Sequence, residues 1–154
     1  MSSDHGQYIP ASGLATPLPD KIRNPADVYA RSGQQSRARQ EILRVLLLTD
    51  QHRLIGARVV SRGTLSSFIT HPREVYRPAI LSSAAAIVLV HNHPNGDPTP
   101  SEADITLTMQ LYEAGRVLGI RLLDHVVVAS GGYCSLAAQG AIPEDPTNSE
   151  GVHH

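Results

Sequence analysis

The 154-residue sequence has no tryptophan, one phenylalanine and five tyrosines, so its core must be built from Leu, Ile, Val and Ala rather than from aromatic rings. It has a single cysteine, Cys134. One thiol excludes an internal disulfide and a thiolate zinc cage, and it fits a reducing, cytoplasmic setting. Long apolar runs are missing too. The two longest, residues 42–48 and 84–90, are strand-sized and far short of the ~20 residues that a membrane helix needs. The N-terminal residues carry neither the basic region nor the apolar block of a signal peptide.

An excess of charge is also absent. The net charge of −1 argues against a protein that coats nucleic acid by bulk electrostatics. The distribution is uneven, however: residues 21–80 hold eleven Lys or Arg against four acids, and the remainder from residue 81 holds two against eight. Nearly all the cations are Arg, the better residue for planar, bidentate contacts. A solvated basic face accounts for this pattern, and a surface for an acidic protein or nucleic acid is the alternative.

The length gives room for one domain with its own core. Residues 1–21 mix Ser, Gly, Pro and Asp without periodicity and read as a flexible leader. Residues 143–154 read as a loose tail. Its last two residues, His153 and His154, resemble an affinity-tag remnant and are set aside. Between them, residues 22–142 read as the folded domain. Asn24-Pro25 marks a helix start with Asn as the cap, running to about residue 32. Two strands follow, 42–48 and 53–61, joined by the turn Thr49-Asp50-Gln51-His52 as a β-hairpin. Residues 64–70 read as a third strand and Pro72 opens a helix. The apolar run 84–90 reads as a strand buried on both faces. Ser101 starts a long helix that closes at Gly119, and strands at 120–129 and 133–136 end the domain. This order predicts an α/β fold, one mixed β-sheet flanked by helices.

Chemistry concentrates in the loop from His91 to Asp104. Residues two apart in an extended chain point the same way, so His91 and His93 leave the buried strand with converging imidazoles. Asp104 falls in the first turn of the next helix, thirteen residues after His91, and the Pro- and Gly-rich loop between them can bend that turn back to the strand end. Two imidazoles and a carboxylate suit one zinc ion and leave a fourth position for water. Each residue has a plainer reading. Asp104 stands three residues after Ser101, as in a capping box, and a first-turn acid is favoured by the helix dipole. The histidines alone could be loop residues. It is the conjunction of strand, HxH, loop and S-x-x-D that points to a metal.

The block His91-Asn92-His93-Pro94-Asn95-Gly96-Asp97-Pro98-Thr99-Pro100-Ser101-Glu102-Ala103-Asp104 resembles the JAMM motif of the JAB/MPN metalloprotease superfamily, in the form carried by RadC-like proteins. Further matches are Glu41-Ile42-Leu43-Arg44, Arg62-Gly63-Thr64-Leu65, His71-Pro72-Arg73-Glu74 and Leu123-Asp124-His125-Val126. The resemblance covers residues 24–140. It implies a single three-layer-like JAB/MPN domain of cytidine-deaminase-like architecture, with one Zn2+ held by His91, His93 and Asp104. It also implies that Ser101 donates to a developing oxyanion and that a glutamate works beside the metal. Glu41 matches that position ahead of the first core strand, and Glu74 is its rival. Asp124 and His125 read either as groups orienting a ligand from behind or as structural hydrogen-bonding residues.

The implied reaction is hydrolysis of an amide or isopeptide bond in a peptide or protein, within a family associated with DNA repair. Longer members carry a helix-hairpin-helix region ahead of this domain, and the short leader is expected to lack it. Competing readings fare less well. A zinc deaminase needs H-x-E and P-C-x-x-C, an amidohydrolase barrel needs ~250 residues, and the HNH-nuclease signature is spread over a longer unit. A zinc-stabilised binding module acting with DNA-repair or replication partners, without catalysis, remains as the alternative from a different class.

Overall fold

The computed structural model describes residues 8–10, 20–63 and 71–143, of which 8–10 as backbone only. Alternation along β2 (Ile42–Leu48) sets the architecture. Val45 and Leu47 face one way and Leu46 and Leu48 the other, all buried, because successive strand side chains point to opposite faces. β2 therefore lies inside the sheet between two apolar layers. β4 (Ala86–Asn92), the second inner strand, is buried at every residue, as its continuous apolar run predicts.

Together with β1 (Tyr8–Pro10), β3 (Leu54–Arg62), β5 (Arg121–Ala129) and β6 (Gly132–Ser135), these strands form a six-stranded sheet in the order β1-β3-β2-β4-β5-β6. Among the described residues only β4 and β5 run parallel; the other neighbours are antiparallel. The fold is thus α/β with a mixed sheet, as the sequence implies. A parallel pair requires a crossover, and α4 (Glu102–Leu118) supplies it. α4 and α3 (Pro72–Leu81) cover one face, where Tyr76, Leu107 and Leu111 pack on Leu43, Val45, Leu47, Ile87 and Leu89. α1 (Pro25–Ala30) and its surroundings cover the other, where Ile22 and Val28 meet Leu46, Leu48, Val88, Val126 and Val128. No helix among the described residues is long and apolar enough to cross a membrane.

Several expectations change in detail. The stretch expected to be a flexible leader contributes β1, which pairs with the outer edge of β3 from Tyr8↔Arg58 to Pro10↔Gly56. Three residues are too few to show a period, and Pro10 is tolerated there because an edge strand leaves one side unpaired. The helix expected to reach residue 32 ends at Ala30, and the polar connector after it folds into a further short helix, α2 (Gly33–Ser36). The strand expected at residues 64–70 lies outside the described residues, as do the tail from residue 144 and the leader apart from β1 and residues 20–21.

Gly115 shows how tightly α4 is seated. A methyl group there would collide with the Tyr76 hydroxyl and the Ile120 carbonyl. Tyr76 is fully buried and donates to Leu111 O at 2.7 Å, which fixes α3 against α4. Ala is a better helix former than Gly by about 1 kcal/mol, but overpacking a filled core costs about 1–3 kcal/mol. Gly115→Ala is therefore expected to lower the thermal unfolding midpoint, and a midpoint equal to or above that of the parent would show that the contact yields.

Candidate metal centre

The loop from His93 to Ser101 is short and internally bonded, which is how it returns the start of α4 to the end of β4. His93 N donates to Val128 O at 3.0 Å, keeping His93 beside β5 after the strand proper has ended. Asp97 Oδ1 accepts from the Thr99 backbone (3.0 Å) and hydroxyl (2.7 Å). Those bonds hold the exposed Asp97 carboxyl below its ordinary value. Gly96 adopts a φ of +88°, and its carbonyl accepts from Gly131 N at 3.1 Å, so the loop is pinned to the β5–β6 turn.

Asp104 is the third residue of α4 and is fully buried. The capping box expected from the sequence is present: Ser101 Oγ accepts from Asp104 N, and Asp104 Oδ2 accepts from Ser101 N at 2.8 Å. Ser101 Oγ also lies 2.9 Å from Oδ2. The same carboxylate meets both histidines, Oδ1 at 2.6 Å from His91 Nδ1 and Oδ2 at 3.1 Å from His93 Nε2. The cap and the contact with both histidines thus fall to one side chain. Burial raises the Asp104 pKa, but the donors on His91 and His93 outweigh it and hold the carboxyl far below the usual range.

These contacts fix protons. An ionised carboxylate only accepts, so the contact with Asp104 needs a proton on His91 Nδ1 and leaves Nε2 as the ring nitrogen that can offer a lone pair to a cation. Nε2 is buried, lacks a hydrogen bond, and lies 3.3 Å from Glu41 Oε1. A cation held there would be met by the ring nitrogen and the carboxylate together. His93 is placed differently. Its Nδ1 faces Asp97 O at 3.0 Å and its Nε2 faces Asp104. The Asp104 hydrogen bond raises its pKa against the opposing effect of burial, favouring the imidazolium when no cation is bound.

His125 adds a third ring. It is fully buried, and burial pushes its pKa down to about 4. Its Nδ1 lies 2.7 Å from Thr108 Oγ1, which also bonds Asp104 O at 2.7 Å, and its unbonded Nε2 stands 3.8 Å from Asp104 Oδ1. Two groups of donors thus have ligating atoms within 4.8 Å of one another: Glu41, His91 and His93, and His91, Asp104 and His125. The donor set of imidazoles and carboxylates, with a buried orphan nitrogen at its centre, fits a zinc-type ion.

The structure brings Glu41, His91, His93, Ser101, Asp104 and His125 together. It separates Glu74 from them: Glu74 is exposed in the first turn of α3, with Arg73 at 3.9 Å. Asp124, on the opposite face of β5 from His125, accepts from Ser135 Oγ (2.6 Å), His125 N (2.7 Å) and Ala137 N (3.0 Å), which ties β5 to β6. Burial nonetheless raises its pKa. Sequence reasoning missed Thr108 and the Asp97 carbonyl. Thr108 had a signal, its position one helical turn beyond Asp104, but a backbone carbonyl leaves none.

An α/β domain carrying a buried His/Asp/Glu centre at the end of a parallel strand pair is the class that fold and site define. Residues 22–141 match the family model described as "RadC-like JAB domain", and the chain belongs to that family. It is similar to the UPF0758 protein of Pelobacter propionicus, 45% identical over 124 residues, which cover 80% of this chain and 54% of that one. It is also similar to the UPF0758 protein of Syntrophomonas wolfei, 52% identical over 103 residues covering 67% and 44%. With the UPF0758 protein of Methanococcoides burtonii it shares 44% over 123 residues, covering 79% and 54%. The chain therefore spans about half the length of the curated relatives it matches.

Asp104→Asn turns one accepting oxygen into a donor facing other donors. Removing one member of a buried charge network costs about 3–5 kcal/mol, so the chelator-treated variant is expected to unfold at distinctly lower urea. A higher midpoint would mean that Asp104 is held at the expense of stability rather than for it.

Proposed function

We propose that the domain is a zinc-dependent hydrolase that cleaves an amide or isopeptide bond in a peptide or protein substrate. The observation that carries the reading is the buried His91 Nε2, an atom without a hydrogen bond that stands 3.3 Å from the Glu41 carboxylate. His91, His93 and Asp104 would hold the ion. When bound, zinc lowers the pKa of a water to about 7 and polarises a carbonyl. Glu41, 16% exposed at the edge of the centre, is placed to take a proton from the attacking water and return it to the leaving amine. Ser101 Oγ, exposed at the mouth of the site, orients Asp104 in the resting arrangement and is the group that can turn toward an oxyanion. A single free thiol, Cys134, supports a cytoplasmic setting.

The alternative is a non-catalytic, zinc-stabilised binding module acting with DNA-repair or replication partners, favoured by the excess of arginine over acid in residues 21–80. A salt-dependent DNA shift that survives Glu41→Gln would support it.

Under the hydrolase reading, the protein takes up about one zinc ion per chain, and His93→Ala loses most of it. Zinc binds more weakly as pH falls. The Asp104 hydrogen bond raises the His93 pKa in the metal-free protein, so proton competition sets in at a higher pH than an ordinary histidine would give. Glu41→Gln retains zinc and loses turnover by roughly 10²–10⁴-fold. Equilibrium dialysis across pH, paired with an unbiased peptide-cleavage profile, checks all three. Full zinc content in His93→Ala would remove the metal assignment, and undiminished cleavage by Glu41→Gln would remove the role of Glu41.

A further inference from the structure

We propose that Asn92, assisted by Gln35, is a positioning residue that clamps the backbone on both sides of Glu41 and so aims its carboxylate at the metal centre; the inference rests on the role of Glu41 given above. Glu41 lies one residue outside β2, and the β2–β4 register ends at Leu43↔His91. A side chain on a chain end of this kind would ordinarily sample many directions. Its backbone is nevertheless tied on every side.

Asn92 Oδ1 accepts from Ile42 N at 2.6 Å, and Asn92 Nδ2 donates to Gln40 O at 2.9 Å. Gln35 Nε2 donates to Ile42 O at 2.9 Å and to Val90 O at 3.0 Å. Gly63 N donates to Glu41 O at 2.9 Å. The Asn92 amide thus performs, in one side chain, the acceptor and donor work of a further rung of the ladder.

Both amides are buried, Asn92 completely and Gln35 to 5% exposure. Burying an amide is costly unless it is bonded; both bonds of Asn92 and one of the two made by Gln35 go to the backbone flanking Glu41, and the other ties Gln35 to β4 at Val90 O. An amide that merely ended a strand would need one of these bonds. Asn92 brackets Glu41 with two, from a position in the chain between His91 and His93. The strand end that presents the His91 ring therefore also sets the carboxylate that faces it. Because the amides bond backbone rather than ligating atoms, their loss should leave the ion bound and misplace Glu41.

Co2+ is the probe, and the readout is the pH midpoint of the visible absorption of the Co2+-loaded protein, which reports ionisation beside the ion. Neutralising a carboxylate next to an ionising group lowers that group's pKa, so Glu41→Gln should move the midpoint down by about one pH unit. Asn92→Ala should bind Co2+ with wild-type stoichiometry and move the midpoint the same way by at least half as much. The Glu41→Gln/Asn92→Ala double variant should move it no further than Glu41→Gln alone. If Asn92→Ala does not fold, Gln35→Met, close in size and unable to donate, carries the same comparison. Should Glu41→Gln leave the midpoint unmoved, the assigned role of Glu41 fails and the clamp with it. If Glu41→Gln moves the midpoint while the amide variant does not, or if the two shifts add in full, the clamp alone is wrong.

Discussion

The centre depends on one buried carboxylate. Asp104 has no exposed surface, and its two oxygens gather the His91 and His93 rings with the backbone and hydroxyl of Ser101. An ionised carboxylate in the interior is tolerated only when its lone pairs are met. Here the groups that meet it are the cap of its own helix and the two histidines of the neighbouring strand. The requirement that anchors the N-terminus of α4 is the same one that orients the rings, so the helix start and the candidate centre share one anchor. The fixed partial charge of the helix N-terminus acts in the same direction.

The sheet topology puts the components within reach. β4 and β5 are the only parallel pair among the described residues, and the loop after β4 bends back so that α4 begins at the C-terminal end of that strand. Crevices at the carboxyl ends of parallel strands are where α/β sheets place ligands. β2 runs antiparallel to β4, so its beginning lies beside the end of β4, and this brings Glu41 to His91 from a point fifty residues earlier in the chain. His125, one strand further along, fills the floor under Asp104 with a ring that burial keeps neutral.

Much of this was legible in the sequence. Strongly apolar runs identified β2 and β4, broken in β2 by Arg44 alone, and Asn24, Ser101 and Gly119 marked helix ends because capping is local chemistry. His91, His93 and Asp104 were legible because strand alternation and a loop of fixed length constrain where such side chains can point. What was lost depends on distance along the chain. The edge strand β1 exists through pairing with β3, which three residues cannot announce. The choice between Glu41 and Glu74 turned on register, since each stands near an element end with a similar local pattern. Asn92 and Gln35 were invisible as a pair, because their shared target is backbone that only the folded sheet places between them.

The central claim is that this domain holds a zinc ion through nitrogen and oxygen donors including two imidazoles. X-ray absorption at the zinc edge of the loaded protein tests it most directly. The account predicts a first shell of nitrogen and oxygen only, at about 2.0–2.1 Å, with the outer-shell scattering of two histidine rings. A sulfur shell at about 2.3 Å, or zinc surrounded by oxygen with no imidazole signature, would contradict it.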